Sequence, residues 1–372
     1  AESIALIPLD KNCFINGKQD YEIIDLKPLQ YDNESTIYKY FIQDTISAIG
    51  NFGIALNTYD EINNSPFKFG IYEIEMLIDN KKKYKINFDD YSFNQDPLIY
   101  REIDFNLHNK LSKNFHRLFI NHNQNLDFID NNSNFGLNLD RKFHNLIINI
   151  SDNANNKIQV QGIIKGDIIK IPPSVFNLNN LSLQFYEKIN NIDFRLSTRY
   201  QNSREIPITY TAYDSTLFKF IKPEKPYEVL KYYIKNNGLK SHPEYISLFK
   251  FDPFDIDGRF QLEHLDNNLL VKFIESEFSG YDAQLSIEYN NNNNKIIDMK
   301  RLDKNILSSG LLDINIFSNI NKIHIKYKTS PEIIFTEIVN GKVFNDNKKN
   351  YFNYKNYSLS SDEDALYDDI FL

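Results

Sequence analysis

His108, His116 and His122 lie close together in the chain, and clustered imidazoles are the first place to look for a metal. Their spacings of eight and six suit neither one helix face nor a familiar ligand pair, so they read as loop and strand-edge residues. His144 opens a strand-like run, and His324 falls on the polar side of Ile323, Ile325 and Tyr327. Asp252, Asp255 and Asp257 precede Gly258, a crowding of hard oxygen donors that resembles a calcium loop. The glutamate that closes such a loop is missing, and a turn with Gly258 at positive φ is the simpler expectation. The turn from Asp152 to Asn156 has the same ambiguity, and Asx-turn bonding explains it without an ion. Asp60, Glu75 and Asp79 read as turn caps and solvated strand edges rather than an acid–base pair, which needs one member with a raised pKa.

Tyr232, Tyr233, Tyr245, Phe249, Phe251 and Phe254 crowd one region. They are either a sugar-stacking surface or an aromatic core between domains; Tyr232, Tyr233, Tyr245 and Phe249 are the candidate binding set. The single cysteine, Cys13, excludes an intrachain disulfide and a Cys-rich zinc site, and reads as a buried small hydrophobe. No Gly-x-Ser-x-Gly, P-loop or GxGxxG motif occurs.

The elements that would position these residues are strands. Tyr72, Ile74, Met76 and Ile78 alternate with Glu73, Glu75 and Leu77; after Asp79–Asn80–Lys81–Lys82 the alternation resumes through Tyr84, Ile86 and Phe88. Two such runs across a polar turn make a β-hairpin. The signature returns at 144–150 with 157–164, at Leu181, Leu183 and Phe185, at Leu285, Ile287 and Tyr289, and at Ile323, Ile325 and Tyr327. One apolar and one polar face per strand is the requirement of an antiparallel sheet packed on one side, and two stacked sheets make a sandwich. One short helix is expected over 226–238, with Leu230, Tyr233, Ile234 and Asn237 on one face.

With 372 residues, 41% of them hydrophobic, there is material for several cores. The aromatic content, 29 Phe and 24 Tyr without Trp, leans towards strands. A net charge of -8 spread along the chain argues against a nucleic-acid binder, and Lys81–Lys83 reads as a solvated turn. No apolar stretch is long enough to span a bilayer as a helix. No signal peptide is visible, and a chain beginning at Ala1 is expected to be a processed product or a fragment. The expected modules are a sandwich over 1–166, an irregular β-rich module over 167–242, a second sandwich over 243–340, and an acidic tail or the start of a further β module over 341–372.

The segments Phe52–Gly53–Ile54–Ala55–Leu56–Asn57–Thr58–Tyr59–Asp60, Lys68–Phe69–Gly70–Ile71–Tyr72–Glu73–Ile74–Glu75 and Leu77–Ile78–Asp79 resemble the Ig-like region that follows the catalytic domain in large M23-family metallopeptidases of Gram-negative bacteria. Ile7–Pro8–Leu9 with Ile15–Asn16–Gly17, then Arg117–Leu118–Phe119 and Ser151–Asp152–Asn153–Ala154–Asn155, are similar to its strands and turns. Asp364–Ala365–Leu366–Tyr367–Asp368–Asp369 resembles the opening of a further module. The resemblance covers best about Ile4 to Ile164. It implies a parent zinc endopeptidase that cuts peptidoglycan cross-links. That family binds zinc through His-x-x-x-Asp and His-x-His, and neither occurs among the seven histidines here, which also include His242 and His264.

The expectation is therefore all-β: tandem antiparallel Ig-like sandwiches with little helix. The chain is expected to be a non-catalytic accessory region that positions or docks a catalytic peptidase domain, and to be periplasmic, in the cell envelope or secreted. No cofactor is expected in it, zinc being confined to a separate catalytic domain, and the partner is that domain, an envelope protein or peptidoglycan. The alternatives are a glycan-binding module and an envelope adhesion or assembly protein.

Overall fold

The computed structural model describes all residues except 30–36, 62–67, 90–100, 121–125, 127, 131–132, 225, 237, 266–267, 292, 340, 346–347, 355–356, 363–365, 367–369 and 372. His122, most of the segment from Asp364 to Asp369, and Leu372 thus lie outside the described residues. The chain divides into two compact units, Ala1–Ile168 and Ile169–Leu372.

In the first unit, Ser3–Pro8 lies between Phe52–Asn57 and Glu22–Asp25, and Phe115–Arg117 edges the sheet beyond Phe52–Asn57. The larger sheet runs Lys81–Asn87, Glu73–Ile78, Phe143–Ser151, Lys157–Lys165, Ile37–Phe41, Lys27–Pro28. Ile74, Met76, Ile78, Leu146, Ile148 and Ile150 project to one side, where they meet Ile4, Leu6, Phe52, Ile54 and Leu56 of the smaller sheet. Both hairpins expected from alternation form, and in the first Asp79 and Asn80 both take positive φ (51° and 63°). That is the twist of a two-residue turn, so Lys81 and Lys82 already belong to the strand. Among the described residues two pairings are parallel: Ile37–Phe41 and Ile46–Ile49 both run beside Lys157–Lys165. Ser3–Pro8 and Phe52–Asn57 are buried along their whole length, and sequence alternation fails there for that reason. The Phe119 ring covers Gly53 so closely that a Cβ would lie 2.4 Å from it.

The second unit contains two cores. The first is aromatic: Phe185, Phe194, Phe218, Phe220 and Tyr232 interlock, with Phe194 and Phe220 edge to face at 4.9 Å. Its sheets are Ser174–Asn177, Ser182–Phe185, Leu217–Phe220, Tyr210–Tyr213, and Ile206–Pro207, Ile192–Ser197, Val229–Asn236, the last also flanked by Leu239–Lys240 and Glu244–Ser247. The other core packs Gly258–Leu265, Asn268–Glu275, Ile306–Asp313 and Lys300–Asp303 on Asn294–Asp298, Ala283–Tyr289, Ile320–Tyr327 and Ile333–Ile338.

The helix expected over 226–238 is instead the strand Val229–Asn236. Leu230, Tyr232 and Ile234 alternate into the core at period two, and pairing with Ile192–Ser197 satisfies the backbone. A short apolar run fits both periods, and the tertiary ladder decided between them. The sequence reading missed the helix Phe105–Leu111, whose start is capped by Asp104 accepting from Leu107 N at 2.9 Å. The middle module is a regular sandwich rather than an irregular one, and Glu244–Ser247, expected to open the third module, pairs within it. In the final stretch Val343–Phe344 pairs with Ile370–Phe371, and Val343 and Phe371 pack into the last core.

Candidate functional site

The histidines that the structure describes each have a local partner and do not converge. His108 meets Asn114, and His116 Nδ1 meets Glu102 at 2.6 Å. His144 sits between Asp79 at 2.7 Å and Asp140 at 3.1 Å; His242 meets Leu302 O, His264 meets Phe371 O, and His324 meets Thr336 and Glu288. Among the described residues no three His, Cys, Asp or Glu side chains gather as metal ligands. These residues do not fit the M23 zinc set. Burial disfavours a charged His116, but the Glu102 carboxylate and the Thr58 carbonyl outweigh it and hold its pKa above the usual 6.5.

Asp252, Asp255 and Asp257 are not assembled around a common point. Asp252 caps the turn Pro253–Asp255, and Asp257 takes Gly258 N and the Ser276 hydroxyl. Gly258 is already strand, not a positive-φ turn: a Cβ there would lie 2.5 Å from Ile274 O. Asp152 binds Ala154 N and Asn156 N, the Asx turn expected. Asp79 caps His144 and Asn145 N, whose hydrogen bonds hold its carboxyl below the usual range. Cys13 is buried and its thiol is pushed up to about 12, chiefly by burial.

The aromatic set separates by strand parity. Tyr232 faces the core at 3% exposure, and burial pushes its hydroxyl up to about 12; it is no part of a surface. Phe249 packs against the same core. Tyr233, one position on, faces outward and donates to Asp193 at 3.0 Å, while Tyr245 donates to Asp303 at 2.8 Å. A four-residue sugar platform is therefore excluded by geometry.

The second unit holds a site that sequence reasoning missed. Glu275, fully buried, accepts from Arg301 at 2.7 Å, Ser279 at 2.6 Å and Tyr327 at 2.8 Å. Arg301 also donates to Lys304 O and Tyr281 O. Next to this knot, Lys304 reaches across to the loop after Ile192–Ser197 and donates to Thr198 O, Tyr200 O and Ser203 Oγ. Burial holds its pKa below the usual lysine value. Asn305 donates to Arg199 O, Arg199 pairs with Glu277, and Gln201 donates to Glu275 O. A cleft of about 380 Å³ opens at this junction between the two sandwiches of the unit. The Lys304 clasp was not legible beforehand, because its partners lie about a hundred positions away in the chain. The only local signal was an Arg–Leu–Asp–Lys run at 301–304 in a strand-like context.

No protein-family model matches the chain, and no curated protein matches it. None of the comparisons shows a link to the M23 peptidases. Similar solved structures include a tetra-tandem repeat from the extending region of a large adhesion protein, at 8% identity over 77% of this chain and 69% of that one, with a TM-score of 0.19. A calcium-stabilised adhesin with which an Antarctic bacterium binds ice shows 8% identity over 79% and 71%, with a TM-score of 0.17. A four-domain fragment of a gamma-B protocadherin shows 14% identity over 88% and 81%, with a TM-score of 0.15. At such scores the likeness carries no argument about arrangement or activity; the chain's own strands show the tandem β-sandwich fold.

Proposed function

We propose that the chain is a non-catalytic accessory region whose sandwiches act as a stiff spacer, holding an attached domain or partner at a set distance. The observation that carries this reading is the Lys304 clasp. An ammonium bound by two carbonyls and a hydroxyl of the neighbouring sandwich, beside the Asn305–Arg199 O bond, resists bending at that junction. Spin labels at exposed Val175 and Ile338, one in each sandwich, test it; the native Cys13 thiol is buried and does not compete. A single narrow distance distribution is expected, broadened by Lys304→Met. A broad distribution in the unmutated chain overturns the spacer reading.

The finer reading places the region in an M23-like cell-wall metallopeptidase of the periplasm or envelope, docking a separate zinc-bearing catalytic domain. Its support is the set of resembling segments and the dispersal of the described histidines. Incubation of the chain with purified sacculi and zinc is expected to release no peptide. Stoichiometric zinc binding with cleavage of wall peptides would show the chain to be the enzyme itself.

A further inference from the structure

We propose that the junction cleft of the second unit binds a short peptide through its free terminal carboxylate, with Arg259 as the anchoring cation. This goes beyond the spacer reading and does not depend on it. The cleft, about 380 Å³, is within the usual range of small-ligand sites. Its lining carries three basic side chains, Lys231, Arg259 and Lys304, against Glu205 and Asp303. In a chain of net charge -8 this is a locally cationic hollow.

Most of those charges are already engaged. Lys231 pairs with Glu205 at 2.7 Å, Lys304 is held by the 198–203 loop, and Asp303 accepts from Tyr245. The exposed Arg259 guanidinium has no partner among the described residues, and it borders two neighbouring hollows as well. A planar, permanently charged donor fork left open in a cleft matches a carboxylate in two-pronged geometry.

A second observation is independent of charge. Asn305, 4% exposed, lines the cleft and donates its side-chain amide N–H to Arg199 O, while its Oδ1 is buried without a hydrogen-bond partner among the described residues. An orphaned amide oxygen lacks an N–H donor, and such a group costs free energy until one is supplied. A peptide brings a carboxylate and an adjacent N–H together. Ile274 and Ile306 add an apolar wall that suits a small aliphatic terminal side chain. A sugar acid brings the carboxylate but lacks that side chain.

Titration calorimetry on the full chain tests this with N-acetyl-alanyl-alanine, its C-terminal amide and methyl glucuronide. The free acid is expected to bind, with the amide and the glucuronide about tenfold weaker or more, since a charge-assisted bond is lost or the peptide contacts are missing. Arg259→Gln is expected to weaken the acid by a similar factor with an unchanged melting curve, and Arg259→Lys to retain part of the binding. Equal affinity for acid and amide, undiminished binding by Arg259→Gln, or no heat with the acid at millimolar concentration overturns the proposal. Glucuronide binding as tight as the peptide's overturns the assignment to a peptide.

Discussion

Arg301 and Glu275 form a two-pronged ion pair, with Nη1–Oε2 at 2.7 Å and Nη2–Oε1 at 3.4 Å, and the Glu275 side chain has no exposure to solvent. The Tyr327 hydroxyl, donating to the same carboxylate from the facing sheet, ties the pair to both layers of the last sandwich.

Removing one partner of such a pair leaves an uncompensated buried charge. Arg301→Met is therefore expected to destabilise the last sandwich by about 3–5 kcal/mol. Hydrogen exchange on Asn268–Glu275 and Ile306–Asp313 reads this directly; unchanged amide protection there counts against it.

The first unit should respond to pH through His116. Its folded pKa lies above 6.5, so the stabilisation is fully present below 6.5 and is lost as pH rises through the folded value. Melting of the chain is expected to show this decline above about pH 6.5, and His116→Gln to reduce it, His144, whose pKa is also raised, supplying the remainder. A profile identical in the variant would rule out His116 as the source.

Gly53 has no room for a side chain against Phe119. Gly53→Ala is expected to cost about 1–3 kcal/mol by overpacking, and Phe119→Leu to restore part of that loss in the double variant. Additive losses would show that the two residues do not share the constraint.

Strand parity separates two adjacent tyrosines. Tyr232→Ala, in the aromatic core, is expected to cost about 3–5 kcal/mol. Tyr233→Ala, which loses an outward hydrogen bond to Asp193, is expected to cost about 1 kcal/mol. Comparable losses from both, in urea titrations, would mean the register of Val229–Asn236 is wrong.

Alternation made the hairpins at 72–88 and 143–165 readable, because each strand has one wet face and the pattern survives in the residues themselves. It failed at Val229–Asn236, where Leu230 and Ile234 satisfy a helical and a strand spacing equally. It was silent about Phe105–Leu111, a two-turn helix whose cap at Asp104 is an isolated signal. For the aromatic set, composition placed Tyr232 and Tyr233 together, and one step along a pleated strand put them on opposite faces.

By itself the sequence determined an all-β chain, the places of its hairpins and the lack of His-x-His spacing, because those properties depend on neighbours within a few residues. Tertiary structure alone decided the clasp of Lys304 on the 198–203 loop, the burial of Glu275 beside Arg301, and the open Arg259 fork in the cleft. Such contacts join residues far apart in the chain, and whether a charge is paired, buried or open is a property of the space around it, which no local pattern records.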